Sequence, residues 1–149
     1  MSITRRLTLI TAFAVAALAT GCASVNKAPT EADANAKSFR PNPSTSQVYV
    51  YRNETLGAAL SMPVTVDGKL AGTTGPNSFF KFDLPAGKHT ITSQGETSKL
   101  DLATEAGKLY FVWQEVKMGA FSGGSKLQLV SEAVGKKGVL ECSLIQAQP

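Results

Sequence analysis

The chain has 149 residues, of which 43% are hydrophobic, 7% aromatic and 17% charged. This length fits one domain, and the ordinary apolar content excludes both a wholly disordered chain and a multi-span membrane protein. The formal net charge of +4 falls to +2 from residue 22 onward, where 13 basic residues (15 less Arg5 and Arg6) stand against 11 acidic ones. Only Lys136 and Lys137 remain as adjacent basic residues there, so no nucleic-acid-binding surface is predicted.

Residues 1–21 have the layout of an export signal. Arg5 and Arg6 form the positive start, and the uncharged run that follows them, Leu7–Leu18, has 12 residues. A membrane-spanning helix needs about 20 apolar residues, so this run is too short for a permanent span. A plain secretory signal would also end at small residues, but here a cysteine, Cys22, comes directly after them.

The stretch Leu18–Cys22 resembles the bacterial lipobox, although Ala19 occupies the position where that motif usually has Leu. The resemblance implies cleavage between Gly21 and Cys22, an S-diacylglyceryl group on the Cys22 sulfur and an acyl group on its new amino group. Two or three acyl chains make such an anchor effectively permanent. The next residue is Ala23 and not the Asp that retains Gram-negative lipoproteins in the inner membrane. In a Gram-negative host the resemblance therefore implies the outer membrane, periplasmic face.

The composition changes after the signal, and residues 22–46 are poor in large apolar side chains. Three prolines interrupt any long helix. Glu31–Lys37 could form one or two helical turns, but no apolar residues recur there to hold them. We therefore predict a flexible spacer over residues 23–46, which as a coil would span roughly 25–30 Å on average and about 80 Å at full stretch.

From residue 47 onward, apolar residues recur with a period of two, which is typical of β-strands. In the first such segment Val48 and Val50 alternate with Tyr49 and Tyr51, so both faces of this strand carry apolar groups. The other predicted strands are Val64–Val66, Phe80–Leu84, Lys88–Gln94, Lys99–Leu102, Leu109–Met118, Leu127–Leu129 and a final strand through Leu140, Cys142 and Leu144.

Turn signals separate these segments. Asp67 and Gly68 both tolerate a positive φ and predict a hairpin, and Pro85–Gly87 predicts a tight turn. Ser131–Lys137 could form one short helical turn before its glycines break it. Seven or eight short strands with frequent turns predict an all-β domain, an antiparallel β-sandwich, over residues 47–149.

Two turn-and-strand motifs carry a family resemblance. Val64–Thr73 resembles the opening of a PEGA-type surface module, and Asp83–Ile91 resembles its second motif, a Pro-Gly turn followed by a His-containing strand. With Gly107–Val112 added, residues 47–145 resemble the bacterial lipoprotein family DUF2846. The resemblance implies a small Ig-like or prealbumin-like sandwich without a defining enzymatic activity, since such motifs describe a fold rather than a chemistry.

The single histidine, His89, is a candidate general base or metal ligand. A metal ion would need further ligands such as Asp83 or Glu96, and no ligand spacing supports this. We therefore interpret His89 as a partly buried strand residue that caps the neighbouring turn by a hydrogen bond. The acidic residues Asp67, Asp83, Glu96 and Asp101 are expected on polar, solvated positions rather than in a glycosidase pair.

The glycine-rich stretch Gly119–Lys126 is superficially similar to a phosphate-binding loop. It ends in Ser-Lys, where that loop needs Lys-Ser or Lys-Thr, and Leu127–Val130 looks like a strand rather than a helix. We predict a mobile hairpin loop. A partner-binding loop with Met118 and Phe121 as exposed anchors is the alternative.

Cys142 is the one thiol left after lipidation of Cys22. Its alternation with Leu140 and Leu144 predicts burial as a small hydrophobic residue. The alternative is a surface thiol that links two chains, because exported proteins usually pair their cysteines.

These observations favour a non-catalytic envelope lipoprotein, anchored in the membrane through Cys22, that binds another envelope component or supports the envelope mechanically. No catalytic, cofactor-binding or metal-binding residues are predicted. The alternative is a module that binds peptidoglycan or another glycan through exposed aromatic side chains; a hydrolase is the third class. The aromatic residues in question, for most of which core packing is the competing role, are Tyr49, Tyr51, Phe79, Phe80, Tyr110 and Trp113.

Overall fold

The computed structural model describes residues 25–94, 98–119 and 122–148, so the predicted signal peptide (residues 1–21) and Cys22 lie outside the described residues. Nine strands and two helices occur in these ranges. In chain order they are α1 (Thr30–Ala36), β1 (Ser46–Arg52), β2 (Met62–Val66), β3 (Lys69–Thr74), β4 (Ser78–Leu84), β5 (Gly87–Thr92), β6 (Lys99–Thr104), β7 (Leu109–Met118), β8 (Gly123–Val130), α2 (Glu132–Leu140) and β9 (Ser143–Leu144). Neither helix is long and apolar enough to cross a membrane.

The strands form two sheets. A five-stranded sheet has the order β8-β7-β1-β4-β9, and a four-stranded sheet has the order β3-β2-β5-β6. The prediction of an all-antiparallel fold is wrong, because β1 pairs with β7 and β4 pairs with β9 in parallel. Between β4 and β7 the chain forms the β5–β6 hairpin in the four-stranded sheet. It then re-enters the five-stranded sheet beside the start of β1, where Gln47 pairs with Leu109, and so β7 runs parallel to β1.

Apolar side chains from both sheets pack face to face between them. In β1, Val48 and Val50 point into this inner core, while Tyr49 and Tyr51 belong to a second cluster on the other side of the sheet. The prediction that this strand is apolar on both faces is confirmed, since all seven of its residues are buried. The buried members of the inner core are Val48, Val50, Val64, Phe80, Ile91, Leu102, Val112, Leu127 and Ile145.

Helix α1 covers part of the outer face of the five-stranded sheet. Its last residue, Ala36, is buried, and its carbonyl oxygen accepts a hydrogen bond of 2.9 Å from Tyr49 Oη. The side chain of Asp33 accepts a 2.6 Å hydrogen bond from Leu144 N. The prediction of a flexible spacer is therefore wrong for this part of residues 23–46. The helix is held by partners elsewhere in the chain, which its own periodicity does not reveal.

Helix α2 covers the rest of that face and runs through Gly135 and Gly138, where a break was predicted. A Cβ at Gly135 would lie 2.1 Å from Phe111 Cβ, and one at Gly138 would lie 2.2 Å from Tyr51 Cε2. Both glycines thus allow the helix to approach the sheet more closely than any side chain would permit. This packing outweighs their low helix propensity, about 1 kcal/mol each relative to Ala.

Candidate functional site

The first and last segments that the structure describes are joined to each other. We call residues 26–28 and 144–148 the terminal clamp. One contact between its two halves is a hydrogen bond of 3.1 Å that the Asn26 side chain donates to Gln146 Oε1. The backbone contacts of the clamp are Ala28 N to Leu144 O (2.9 Å), Gln146 N to Asn26 O (2.9 Å) and an antiparallel bridge between Lys27 and Ile145.

The terminal clamp is bonded to both sheets. Ile145 N donates to Phe79 O (2.9 Å) in β4, and Gln148 N donates to Ala71 O (2.7 Å) on β3, which is an edge strand. The Ile145 side chain is 3% exposed and belongs to the inner core. The clamp therefore closes one edge of the two packed sheets, and it begins only four residues after Cys22.

His89 joins two turns of the fold. Its Nδ1 lies 2.6 Å from Asp67 Oδ2, and its Nε2 lies 2.7 Å from the Pro85 carbonyl oxygen. A carbonyl and an ionised carboxylate only accept hydrogen bonds, so this arrangement favours the protonated ring, in which both nitrogens donate. The hydrogen bond that Asp67 accepts from His89 is the main cause that raises the pKa of His89, and the same bond lowers the pKa of Asp67.

The sequence prediction for this histidine is confirmed, since its ring caps the Pro85–Gly87 turn. The predicted hairpin is confirmed as well: Asp67 and Gly68 have φ values of 51° and 80°, as a type I′ turn requires. Asp67 is not merely solvated, because its Oδ1 also accepts from Thr90 N (2.8 Å). Among the residues described, no three His, Cys, Asp or Glu side chains are grouped so that they could hold a metal ion.

Asp83, one of the two acids suggested as a further metal ligand beside His89, is bonded to other residues. Asp83 accepts hydrogen bonds from Gln47 Nε2 (3.1 Å) and Lys81 Nζ (3.0 Å) on β1 and β4. Glu96 lies outside the described residues. Asp101 accepts a 2.7 Å hydrogen bond from Thr90 Oγ1, which lowers the pKa of this exposed carboxyl.

A shallow cavity of about 400 Å³ lies on β5 and β6, lined by Lys88–Thr90 and Asp101–Ala103. The carboxylate in its lining is already bonded to Thr90, and the imidazole of His89 has a partner on each nitrogen. His89, Thr90 and Asp101 thus serve strand and turn contacts.

A second cleft, which we call the aromatic cleft, lies between α2 and the end of β1. It has a volume of about 220 Å³. Trp113 is partly exposed in this cleft, whereas Tyr51 lines it with only 2% of its surface exposed. Val134 is 55% exposed, and Asn53 Nδ2 donates a 2.7 Å hydrogen bond to Glu141 Oε2. The lining residues are Tyr51, Asn53, Trp113, Val134, Lys137, Gly138 and Glu141.

The remaining candidate aromatics are structural. Tyr49, Phe79 and Phe80 are at most 1% exposed, as expected for core residues. Tyr49 stacks on Phe111 with the ring centroids 5.0 Å apart. Tyr110 accepts a hydrogen bond of 2.9 Å from Glu105 N through its hydroxyl. Only two of the six residues, Tyr51 and Trp113, therefore meet at one surface cleft.

Cys142 is buried, with 3% of its surface exposed, so the prediction of burial is confirmed. Its thiol donates to Gly138 O at 3.3 Å, and burial raises its pKa to about 12. The predicted final strand is wrong, however. Leu140 ends α2 and is 58% exposed, and only Ser143–Leu144 forms a strand. The helix continues past its glycines, which carries Leu140 out to solvent.

Arg52 is a buried cation that sequence analysis missed. It is 0% exposed, and its guanidinium donates to the carbonyl oxygens of Leu60 (2.7 Å), Gly57 (2.7 Å) and Leu56 (3.2 Å). Burial lowers its pKa. The side chain thereby fixes the loop between β1 and β2. A signal was present in the sequence, since Arg52 has the same strand parity as Val48 and Val50 and so points to the inner side.

Residues 119–122 of the glycine-rich stretch connect β7 to β8, and its remaining residues belong to β8. Gly119 N donates to Ser122 O (2.9 Å), and Lys126 lies within β8. The strand predicted after this loop is confirmed, so the helix that a phosphate-binding loop needs is absent from 123–130. Met118 is 58% exposed, whereas the other suggested anchor, Phe121, lies outside the described residues.

Comparison with known proteins places the chain in a family. Residues 42–125 match the family described as "Protein of unknown function (DUF2846)". An uncharacterized protein of Haemophilus influenzae is 40% identical over 133 residues, which covers 87% of this chain and 79% of the relative. The similarity thus extends beyond residues 42–125. No solved structure gives a significant match. The chain belongs to the DUF2846 family.

Proposed function

We propose that this protein is a membrane-anchored envelope lipoprotein that displays a small non-catalytic β-sandwich for binding another envelope component. The observation that carries the proposal is the lipobox-like stretch Leu18–Cys22, which follows a basic start and a 12-residue apolar run. Acyl chains on Cys22 hold the protein at the periplasmic face of the outer membrane. As part of this proposal, we assign the two packed sheets to the Ig-like or prealbumin-like class of β-sandwich.

The non-catalytic part of the proposal is supported by the state of the two most reactive side chains. His89 has both ring nitrogens bonded to acceptors, so it holds no free lone pair with which to act as a base. The Cys142 thiol is buried with a pKa of about 12, so almost none of it is thiolate at neutral pH. The His89 ring links two turns, and the Cys142 thiol is bonded to helix α2.

Metabolic labelling with an alkyne-tagged palmitate tests the anchor. We expect the wild type to carry the label and to fractionate with membranes, whereas Cys22→Ser should carry no label and remain uncleaved. Cys142→Ala is the matched control, because it removes the other cysteine and should leave labelling intact. Persistent labelling of Cys22→Ser would contradict the lipobox assignment.

The partner class can be tested at the aromatic cleft. A photo-cross-linking amino acid at Val134, which is 55% exposed in the cleft, should give one defined adduct with an envelope protein. The same amino acid at Lys99, exposed on β6, is the control and should give none. Adducts of equal yield at both positions would contradict a partner site at this cleft.

The second candidate function is binding of a glycan, and one observation favours it. The aromatic cleft combines the partly exposed ring of Trp113 with the amide of Asn53 and the carboxylate of Glu141, groups that suit a sugar ring and its hydroxyls. Retention on purified peptidoglycan that is lost in Asn53→Ala, but kept in Lys88→Ala on the other sheet, would support this function. No retention of the wild type would exclude it.

A further inference from the structure

The proposed lipid anchor and the folded domain are separated by very little chain. Four residues lead from Cys22 to Asn26, and an extended chain spans at most about 3.6 Å per residue, hence about 14 Å in total. The sequence had predicted a spacer of 24 residues, with a reach of about 80 Å. From Asn26 onward, however, the chain is part of the domain, because the Asn26 carbonyl oxygen accepts a hydrogen bond from Gln146 N.

The contacts that remove the spacer are distributed over the whole segment. After the terminal clamp, Asp33 accepts from Leu144 N (2.6 Å), and Ala36 accepts from Tyr49 Oη (2.9 Å). Phe39 then packs on Tyr49 with the ring centroids 5.6 Å apart. A longer tether could be released only if these contacts were broken in succession from the N-terminal side.

We propose that the terminal clamp seats the folded domain directly on the lipid surface, with the edge formed by the clamp and β3 next to the headgroups. This inference rests on the proposed lipidation of Cys22. The edge carries exposed groups that suit an anionic headgroup layer, because Lys27 and Lys69 are exposed and Leu70 is 51% exposed.

The sheet order defines which residues lie far from this edge. In the four-stranded sheet β6 is three strands from β3, and in the five-stranded sheet β8 is four strands from β9. At about 4.8 Å per strand, the opposite edges are roughly 14 and 19 Å farther from the clamp. Ala103 on β6 and Lys126 on β8 are exposed there and serve as distant reporter positions.

Site-directed nitroxides on the full-length lipidated protein, reconstituted in vesicles with a nickel-chelating headgroup lipid, test the seating. Labels at Lys27→Cys and Lys69→Cys should show relaxation by the headgroup nickel several-fold greater than labels at Ala103→Cys and Lys126→Cys. Cys22 is acylated and Cys142 is buried, so neither should take up the label. Equal, weak relaxation at all four positions would overturn the seating.

A variant with twenty Gly and Ser residues inserted between Ser24 and Val25 is the matched control. It keeps Cys22 and the folded domain but restores a long flexible tether, so the difference between near and far labels should disappear. The two proposals also fail differently. Protein that does not bind vesicles at all contradicts lipidation, whereas vesicle-bound protein without the near-far difference contradicts the seating alone.

Discussion

The imidazole of His89 lies 2.6 Å from the carboxylate of Asp67, and its other nitrogen donates to the Pro85 carbonyl. This arrangement ties the β2–β3 turn to the β4–β5 turn, which crosses from one sheet to the other. The link depends on protonation, because an uncharged ring has one N–H and would leave one of the two acceptors unpaired.

The stability of the domain should therefore depend on pH through this pair. The pKa of His89 is raised in the folded state, so its contribution is complete below the unfolded value of about 6.5 and is lost as pH rises through the folded pKa. The pKa of Asp67 is lowered, so its contribution is lost as pH falls through that lower value. Urea unfolding at pH 5.5 and pH 9 measures the effect.

Asp67→Asn should remove most of this pH dependence and should lower the free energy of unfolding at pH 5.5 by about 1 kcal/mol. This is at the low end for a charged hydrogen bond, because Asp67 is half exposed. Glu105→Gln, at an exposed position, is the control and should leave the profile unchanged. If the unfolding free energy of Asp67→Asn varied with pH as steeply as that of the wild type, the pH dependence would come from another titrating group.

Gly138→Ala should destabilise the domain by about 1–3 kcal/mol, because the new Cβ would lie 2.2 Å from the Tyr51 ring and the helix must move away. Helix propensity alone predicts the opposite sign, a gain of about 1 kcal/mol. Lys137→Ala, one residue earlier and exposed, should change stability by less than about 0.5 kcal/mol. A more stable Gly138→Ala variant in thermal unfolding would contradict the close packing of α2.

Arg52→Met should cost about 3 kcal/mol of unfolding free energy, since three carbonyl oxygens in the β1–β2 loop lose their donors. Limited proteolysis should then cut within residues 53–61. Arg40→Met, at an exposed position, is the matched control and should leave both readouts unchanged. Protection of residues 53–61 in the Arg52→Met variant would show that the loop does not depend on this side chain.

The thiol of Cys142 should react with a bulky maleimide only after unfolding, because it is buried and its pKa is about 12. Residues 23–149, which lack Cys22, are suited to this measurement by mass spectrometry in buffer and in urea. Cys142→Ser should cost about 1 kcal/mol, because the hydroxyl can donate to the Gly138 carbonyl as the thiol does. Rapid modification in buffer, or a disulfide-linked dimer, would place the thiol at the surface.

Ala23→Asp should move a substantial fraction of the protein to the inner membrane, because Asp directly after the lipidated cysteine is the retention signal of the common sorting rule. Sucrose-gradient separation of the two membranes measures the distribution, and Ala23→Asn is the uncharged control. An unchanged distribution would show either that the host sorts by another signal or that the wild type is not in the outer membrane.

The parts of this fold that were predictable from sequence depend on local rules. Alternation at Val48–Tyr51 predicts a strand buried on both faces, and Asp67 with Gly68 predicts a hairpin because both residues accept positive φ. The turn-capping role of His89 could be inferred in the same way, from a strand that starts beside a Pro-Gly turn.

The parts that failed depend on contacts between distant segments. Helix α1 has no apolar stripe, and it is held by Tyr49 and Leu144, which lie 13 and 111 residues away from their partners Ala36 and Asp33. In α2 the glycines predict a break, and only the facing rings of Phe111 and Tyr51 show why glycine is needed there. The same non-local origin explains why the aromatic cleft was not foreseen, because Tyr51 and Trp113 are brought together by parallel strand pairing.

The terminal clamp also has a consequence for the order of events during synthesis. Its second half, residues 144–148, is made last, so the clamp cannot close until almost the whole chain is available. Until then, residues 26–28 lack the partners that they have in the clamp. Under the proposed lipidation, the enzymes that modify Cys22 therefore meet a chain that the clamp does not yet hold. Under the same proposal, closure of the clamp by the last strand sets the distance between lipid and domain.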